Sequence, residues 1–511
     1  MLLDLTTHDQ KTVVTLLKAF LPETTIWAFG SRMKFTSKPE SDLDLVAFID
    51  PEQQSQLAEL KDAFVESDLP FKVDILDWNV IPDSFKENIK KAYINIDDLI
   101  VDKNTPKNWK TLTLREICDE ISYGYTESAS WENIGPKFLR ITDIRNYFVD
   151  WTTVPRCPIT TENHIKYKLE IGDIVIARTG ATTGITSIFN NPAIDAVFAS
   201  YLIRYRINKN VANPFYIAHV LKSSLWKSHV SSIIGGSAQP GANAQQFADF
   251  KFDLPTIDFQ NIAANILSSL DDKIGLNIQI NQTLESITQN IFQEWFINFN
   301  TPGFEGELVG GLPKGWKKGK LGEIIDVKGG GTPSTANADY WNGDIYWTTP
   351  KDLSNNQSHV LLDTERKITV RGVEQISSGI LPKGTLLLSS RAPIGYLAIS
   401  QVPVAINQGY IAIQGKSVSN YFMLYWLIQN MDSIKGRANG STFQEISKSN
   451  FKDIDIVIPD SETLKRFDDI ANSIFCKIVS NEIENGNLSE LRDSLLPKLM
   501  SGKIQISNGL D

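Results

Sequence analysis

The chain has 511 residues, 42% of them hydrophobic and 10% aromatic, with 50 basic against 60 acidic side chains and a net charge of −10. That length exceeds a single core and calls for about three domains, the composition excludes a disordered chain, and no apolar run reaches the roughly 18 residues of a membrane helix. The start, MLLDLTTHDQ, lacks the basic and apolar regions of a signal peptide, and Cys118, Cys157 and Cys476 are scattered without metal or disulfide spacing, so a reducing cytoplasm is expected.

Residues 1–98 read as a small α/β unit. They carry most of the acidity: 19 acidic and 11 basic residues fall through Asn104, which leaves the remainder at −2 and free to hold basic patches. An amphipathic helix (Val13, Val14, Leu16, Leu17, Phe20) leads into a strand ending at Phe29, then Gly30-Ser31-Arg32 and a second strand with Asp42 and Asp44. A helix (Leu57, Leu60, Phe64) precedes a third strand, Phe71 to Leu76, with Asp74 at its centre. Alternation puts Asp42 and Asp44 on one face, where Asp74 can join them. Clustered carboxylates repel unless a cation lies between them, and Mg2+ suits such oxygen ligands and bridges to phosphates. A Gly-Ser turn after a strand offers N–H groups and a hydroxyl to a phosphate tail. A solvated acidic edge is the competing account.

Residues 99–108 are a linker, and residues 106–257 form a first reader. Its opening, WKTLTLREICDEISYG, is expected to be a helix and a Gly-Tyr loop. Strands are expected at Lys137 to Ile144 and Leu169 to Arg178, a helix from Pro214 to Trp226, a polar loop from Gly235, and a strand from Phe250 to Pro255. The run 258–298 follows, with Ile262, Ile266, Leu270, Ile274, Ile280, Leu284, Ile287, Ile291 and Trp295 at helical spacing. It predicts one long helix with a seam.

After the Gly/Pro-rich stretch 298–315 the order repeats over 316–460. WKKGKLGEIIDVKGGG echoes the first opening, and Ile345 to Leu353 echoes Phe138 to Ile144. The run Leu381 to Arg391 echoes the one ending at Arg178, and Tyr421 to Gln429 echoes the Pro214 helix. A second long helix, 461–503, has Leu464, Phe467, Ala471, Ile474, Ile478, Leu488, Leu495 and Leu499 on alternating three- and four-residue steps, with Asn481, Asn485 and Arg492 in the polar slots. That is the heptad rule, so the two helices should pair as a coiled coil. About 30 helical residues span roughly 45 Å, against about 34–36 Å per DNA turn. Two readers on such a strut would meet a duplex about one turn apart.

The readers show no metal cluster, phosphate-cradling loop or activated nucleophile, and the five histidines are isolated, so they read as binding devices. Arg178, Thr179, Thr182, Gln239, Ser390, Arg391, Asn407, Gln408 and Gln444 lie in or near loops that could read bases. Lys328, Lys351 and Arg437 could grip phosphates.

Two resemblances organise these readings. The front pattern Gly30, Ser31, Asp42, Asp44, Asp74 resembles the minimal nucleotidyltransferase domain. That resemblance implies Asp42 and Asp44 holding a metal-bound nucleoside triphosphate, Asp74 completing the Mg2+ site and helping to activate an acceptor hydroxyl, and a separate helical toxin as a common partner. Residues 106–507 resemble the specificity subunit of a type I restriction-modification enzyme. The resemblance is carried by Tyr340-Trp341-Asn342-Gly343-Asp344-Ile345-Tyr346-Trp347-Thr348-Thr349-Pro350-Lys351-Asp352, the Gly440-Ser441-Thr442 loop, Asn281-Gln282-Thr283-Leu284-Glu285, and Leu491-Arg492-Asp493-Ser494-Leu495-Leu496-Pro497-Lys498-Leu499. It implies a multidomain α/β chain in which two α/β target-recognition domains are separated by two long helices packed as an antiparallel coiled coil. It also implies double-stranded DNA, two methyltransferase subunits and restriction subunits as partners, in phage defence. S-adenosylmethionine and ATP would be used by those partners, with no cofactor in the specificity region and no membrane. The first function expected is reading an asymmetric bipartite DNA site. The alternative is an enzyme that transfers a nucleotide to a protein or RNA hydroxyl.

Overall fold

The computed structural model describes residues 3–33, 41–96, 108–145, 148–234, 241–303, 308–354, 358–438 and 444–504. The chain divides into two compact units: Met1–Ser269 with Leu491–Asp511, and Leu270–Glu490.

The first unit opens with α1 (Thr7–Phe20), β1 (Ile26–Phe29), β2 (Leu43–Ala47), α2 (Gln54–Val65), β3 (Val73–Asp77), α3 (Asp83–Lys91) and β4 (Ile94–Asn95). The Thr6 hydroxyl caps α1 by accepting the Asp9 N–H at 3.1 Å. The sheet runs β3-β2-β1-β4, with β2 antiparallel to β1 and parallel to β3. Leu43, Leu45 and Ile75 point to one face, onto Val13 and Leu17 of α1 and Leu57, Leu60 and Phe64 of α2. Period-two alternation sends Val46 to the other face, against Ile81 and Ile89. Asp44 shares that second face.

The first reader contains β5 (Lys110–Thr113), β6 (Cys118–Tyr123), β7 (Lys137–Leu139), β8 (Ile144–Arg145), β9 (Phe148–Val149), α4 (Thr161–Tyr167), β10 (Asp173–Ala177), β11 (Thr186–Ile188), β12 (Ala196–Phe198), β13 (Leu202–Ile207), α5 (Pro214–Val220), α6 (Ser224–Ile233), α7 (Ala244–Ala248) and β14 (Lys251–Leu254). The main sheet is β11-β10-β13-β6, beside a parallel β12-β7 pair and an antiparallel β14-β5 pair. The helix expected over the opening residues is not formed. Thr111 and Thr113 suit a strand, β14 supplies the ladder, and Glu116 accepts the Thr113 N–H at 2.6 Å, closing a short 3-10 turn. The expected Pro214 helix breaks between α5 and α6, where Ser223 starts a new helix by accepting the Trp226 N–H. After β14 the chain enters α8 (Ile257–Phe292).

The second unit, after that helix and a π-turn over Gln293–Ile297, holds β15 (Leu308–Val309), β16 (Leu312–Pro313), β17 (Lys317–Lys320), α9 (Leu321–Ile324), β18 (Ile325–Gly329), β19 (Trp341–Thr348), α10 (Pro350–Leu353), β20 (Val360–Leu361), β21 (Arg366–Ile368), α11 (Val370–Val373), β22 (Leu386–Ser389), β23 (Leu397–Ser400), β24 (Val404–Ile406), β25 (Tyr410–Gly415), α12 (Asn420–Gln429), α13 (Met431–Gly436), α14 (Lys448–Lys452), β26 (Asp455–Ile458) and most of α15 (Ser461–Met500), whose residues from Leu491 belong to the first unit. Its main sheet, β18-β25-β22-β23-β20, reproduces β6-β13-β10-β11 and adds one strand. The parallel β24-β19 and antiparallel β17-β26 pairs reproduce the other two.

The two long helices pack antiparallel. In the first unit Ala263, Ala264 and Leu267 of α8 share a core with Leu496 and Leu499 of α15. In the second, Phe292 and Trp295 lie against Phe467, at ring distances of 5.7 and 6.3 Å. The middle is polar: Asn277 donates to Asn485 at 2.9 Å, and Asn481 donates to Asn281 at 2.8 Å. Partner numbers fall along α15 as they rise along α8, which fixes the antiparallel sense. These asparagines are buried, Asn277 and Asn481 at 1% exposure. Buried amides in a seam cost stability and specify register. Along α15 the seam follows the heptad reading, Asn481 and Asn485 included. Along α8 it differs from the apolar row: Ile266 and Ile287 are exposed, while Ala263, Leu267, Asn277, Asn281, Thr288 and Phe292 are buried. The face was set by what α15 offers its partner, amides opposite amides, and an apolar count cannot see that.

Candidate functional site

In the first reader Arg178 directly follows β10, a strand buried throughout. Its backbone is held on both sides: the Arg178 N–H donates to Tyr201 O at 3.1 Å, and its carbonyl accepts the Ala242 N–H at 3.0 Å. The guanidinium carbon lies 5.1 Å from the Tyr123 ring centre. Thr179 pairs with Gly241 across an isolated bridge and leads into the 3-10 turn Gly180–Thr182, where the Thr182 carbonyl accepts from Ile185. Arg178, Thr179 and Thr182 therefore form one cluster at a sheet end. Gln239 lies outside the described residues, as does the loop from Gly235.

In the second reader Ser390 is buried and donates to Gly409 O at 3.1 Å, which makes it a packing residue. Arg391 bridges Glu445, with a 3.6 Å ion pair, next to exposed Gln444. Asn407 accepts from Gly409 N–H at 2.8 Å, and Gln408 accepts the Thr332 hydroxyl at 2.6 Å. These five positions gather at the corresponding sheet end. Lys328 is exposed on the edge strand β18, and Lys351 is exposed and paired with Glu365 at 2.8 Å. Arg437 is exposed at the end of α13. The loop Gly440-Ser441-Thr442 lies outside the described residues.

Backbone register equates the two clusters and corrects the sequence alignment by one residue. Ser390 N–H donates to Gly409 O and Ser390 O accepts from Ile446, the same two bonds that hold Arg178. Arg178 thus corresponds to Ser390, and Thr179 to Arg391. Tyr123 sits opposite Ile203 as Gly329 sits opposite Ile411, so a glycine stands where the tyrosine does. A Cβ built on Gly329 would come 3.0 Å from Lys448 Nζ, so a lysine covers that place in the second reader. The echo of Phe138 to Ile144 in Trp347 to Leu353 holds in detail. Asp143 accepts the Arg140 N–H at 2.8 Å, and Asp352 accepts the Thr349 N–H at 2.7 Å. Tyr123 and Lys448 escaped sequence reading because their closeness to Arg178 and to Gly329 is set by the fold and not by spacing along the chain.

At the front, Gly30 has φ +84°, and a Cβ there would fall 2.2 Å from Asp44 Oδ2. Glycine is required both for that backbone and for the approach to the carboxylate. Asp44 and Asp74 are register partners on adjacent parallel strands. Burial, then the Asp42 and Asp74 charges, push the Asp44 carboxyl above its ordinary value, while Lys72 pulls the other way. Lys72 Nζ lies 2.5 Å from Asp74 Oδ1. Arg32, buried at 5% exposure, spends its guanidinium on structure. It donates to Ser41 O and Asp4 O, both at 2.8 Å, and stacks 3.9 Å over Phe71. Ser31 follows Gly30 in the same turn. Among the described residues no three His, Cys, Asp or Glu side chains are drawn into a finished metal cage. Repulsion spreads carboxylates until a cation draws them in. This donor set, two carboxylates on neighbouring strands with Asp42 two residues away and a glycine turn pressed against one of them, fits a hard divalent cation. In the readers every histidine whose bonds are described is hydrogen-bonded, as His164 is to Asp195 and His359 to Glu285.

Residues 106–286 and 313–492 match the type I restriction modification DNA specificity domain, and residues 13–102 match the polymerase beta nucleotidyltransferase domain. The chain is 40% identical over 192 residues to the type I restriction enzyme MjaIX specificity subunit of Methanocaldococcus jannaschii, covering 37% of this chain and 44% of that one. It is 25% identical over 433 residues to the same organism's putative MjaX specificity subunit, covering 82% of this chain and 97% of the relative. The front is 46% identical over 98 residues to the probable protein adenylyltransferase MntA of Haemophilus influenzae, 19% of this chain and 85% of that one. The crystal structure of the type I restriction-modification S subunit from M. genitalium shares the fold at a TM-score of 0.50 and 14% identity, covering 79% of this chain and 98% of that one. The chain belongs to the type I restriction-modification specificity family, with a nucleotidyltransferase domain fused at its front. It is a type I specificity subunit built as two repeated target-recognition domains on two long helices. No helix among the described residues is long and apolar enough to cross a membrane.

Proposed function

We propose that the chain reads an asymmetric, bipartite site on double-stranded DNA in the cytoplasm. Around that site it holds two methyltransferase subunits and the restriction subunits. The working boundaries are 1–98, 106–257, 258–298, 316–460 and 461–503. The observation that carries this reading is one hydrogen-bonding register used twice, with different side chains at the same loop positions: Arg178 against Ser390, Thr179 against Arg391. The same scaffold with different loops is what two unlike half-sites require. Arg178, Thr179, Thr182, Gln239, Arg391, Asn407, Gln408 and Gln444 are the proposed base-facing set, and Lys328, Lys351 and Arg437 the phosphate set. The methyl donor and ATP belong to the partners. Mapping methylated adenines in a host genome with and without this gene tests it. A two-part motif with a fixed gap should vanish with the gene, and a single continuous motif would count against the reading.

A second reading applies to the front domain and is favoured by the contact between Gly30 and Asp44. Asp42 and Asp44 would hold a Mg2+-bound nucleoside triphosphate, Gly30 and Ser31 its phosphates, and Asp74 would complete the metal site and orient an acceptor hydroxyl of a protein or RNA. A Mg2+ held there would supply charge neutralisation to the phosphoryl group being transferred. Incubation with labelled ATP and Mg2+ tests it: Asp42→Ala with Asp44→Ala should abolish labelling, and equal labelling of both proteins rejects it.

A further inference from the structure

The Arg178 guanidinium is unusual for the company it lacks. Its Nε is buried with no hydrogen-bond partner. Among the described residues its side chain has neither an ion pair nor a hydrogen bond, only the face of Tyr123 at 5.1 Å. Two other arginines of the same reader, Arg204, whose Nε likewise lacks a partner, and half-buried Arg206, nevertheless have carboxylate partners. Arg204 pairs with Glu120 at 2.6 Å, and Arg206 reaches both oxygens of Asp173 at 2.8 and 2.9 Å. Arg391, one register step away in the other reader, has Glu445. An arginine anchored at both backbone groups, stacked on an aromatic ring and left without an acceptor is prepared for an acceptor that arrives from outside.

Tyr123 is itself fixed. It ends β6, its ring is 43% exposed, and its hydroxyl accepts the Ala244 N–H at 3.1 Å at the start of α7. Tyr201, whose carbonyl holds Arg178, is 55% exposed beside it. The ring therefore links the strand end that carries Arg178 to the segment that returns from the neighbouring loop. Gly124, next in the chain, has no room for a side chain: a Cβ would fall 2.2 Å from Ala199 O. The β6 exit is thereby held close to the adjacent strand, and Tyr123 with it.

We infer that Tyr123 is the positioning residue for Arg178. It holds the guanidinium plane so that two N–H groups meet the paired acceptors of one guanine edge in the half-site of the first reader. The second reader has no counterpart, because Gly329 and Ser390 occupy the two positions. Its matching base pair is met by Lys448, a point charge that does not fork, and by Arg391, whose guanidinium already faces Glu445. This inference rests on the proposed DNA-reading function and names a base and the platform that aims its reader.

The test uses the full chain assembled with its methyltransferase subunits and a library of duplexes randomised across the site, read out by adenine methylation. The wild type must first return a two-part motif; if it does not, the proposed function fails. Given that motif, Arg178→Ala should lose a guanine preference at one base pair of one half-site, by on the order of tenfold or more. Tyr123→Ala should lose the same preference at the same base pair, leaving the other half-site and the salt dependence of binding within about twofold. Tyr123→Phe, which keeps the ring, should restore it. Arg178→Lys, which keeps charge but not the fork, should not. The inference is overturned, with the proposed function intact, if Tyr123→Ala weakens all sequences alike or leaves the motif unchanged, or if Arg178→Lys reads as wild type. The remaining base preferences of the same half-site report folding of the first reader in every variant.

Discussion

The two readers differ most where their folds agree best. At one point in the central sheet the first reader buries charge: Asp173, 2% exposed at its side chain, faces Arg206 at 2.8 Å and Arg204 at 3.9 Å, with Glu120 joining both arginines. In the same register the second reader places Thr385, Gln414 and Ala412, and the amide of Gln414 donates to the Thr385 hydroxyl at 2.8 Å. One backbone accepts a buried ionic network or a neutral hydrogen bond, and most polar atoms there find partners, Arg204 Nε and Ser122 Oγ excepted. The lesson extends to the loops. A scaffold indifferent to charge in its own sheet can exchange the residues at its edge without refolding.

The comparison can be broken first at those buried groups. Asp173→Ala removes the two-pronged partner of Arg206 while Glu120 still pairs with both arginines, and should cost about 2–3 kcal/mol, whereas Thr385→Ala removes the neutral bonds to Gln414 and Pro382 O and should cost about 1–2 kcal/mol. Hydrogen exchange in β10 and β13 against β22 and β25 measures each reader by itself; equal losses would show that the charges are not what holds the first reader.

The shared features should respond equally. Gly124 and Gly330 each face a carbonyl too close for a side chain, with built Cβ atoms 2.2 Å from Ala199 O and 1.9 Å from Ile406 O. Alanine at either should cost about 1–3 kcal/mol, seen as matching shifts in denaturant midpoint. An effect at one site alone would deny that the two exits are one motif.

Acid should separate the readers. Burial raises the Glu120 carboxyl, but the bond and charge of Arg204 and the charge of Arg206 outweigh it and leave it below its ordinary value. A depressed carboxyl gives stability that is full above the unfolded value near 4.5 and is lost as pH falls through the folded one. Glu120 is 44% exposed, so the loss should stay under about 1 kcal/mol. The Gln414–Thr385 pair has nothing to titrate. Protection factors, which correct for the slowing of intrinsic exchange in acid, should fall more in β6 and β13 than in β18 and β25 between neutral pH and about pH 4.

The smallest effect sharpens the edge. Glu445→Gln frees Arg391 from a half-exposed ion pair and should change stability by less than about 0.5 kcal/mol. It should tighten binding to any duplex at low salt; unchanged affinity would place Arg391 away from DNA.

Much of this was legible in the amino-acid order. The three carboxylates and Gly30-Ser31, the duplication, and the three-four steps of α15 follow from periodicity and residue type, because strand alternation and helical spacing depend on the local backbone alone. The offset that pairs Arg178 with Ser390 did not, since an arginine at each loop made the wrong alignment look better, and only the bonds to Tyr201 and Gly409 settle it. The opening of the first reader read as a helix because β14, its ladder partner, lies 142 residues away, as the Thr111–Asp253 bond measures.

The sequence by itself determined the number of parts, their order and the chemistry available to each. Those rest on local spacing and side-chain identity. Contacts between distant segments decided which face of α8 is buried, that the Arg178 side chain is left unpaired among the described residues and which ring it lies on. Those depend on what distant segments bring to the same place, and no local pattern records the partner.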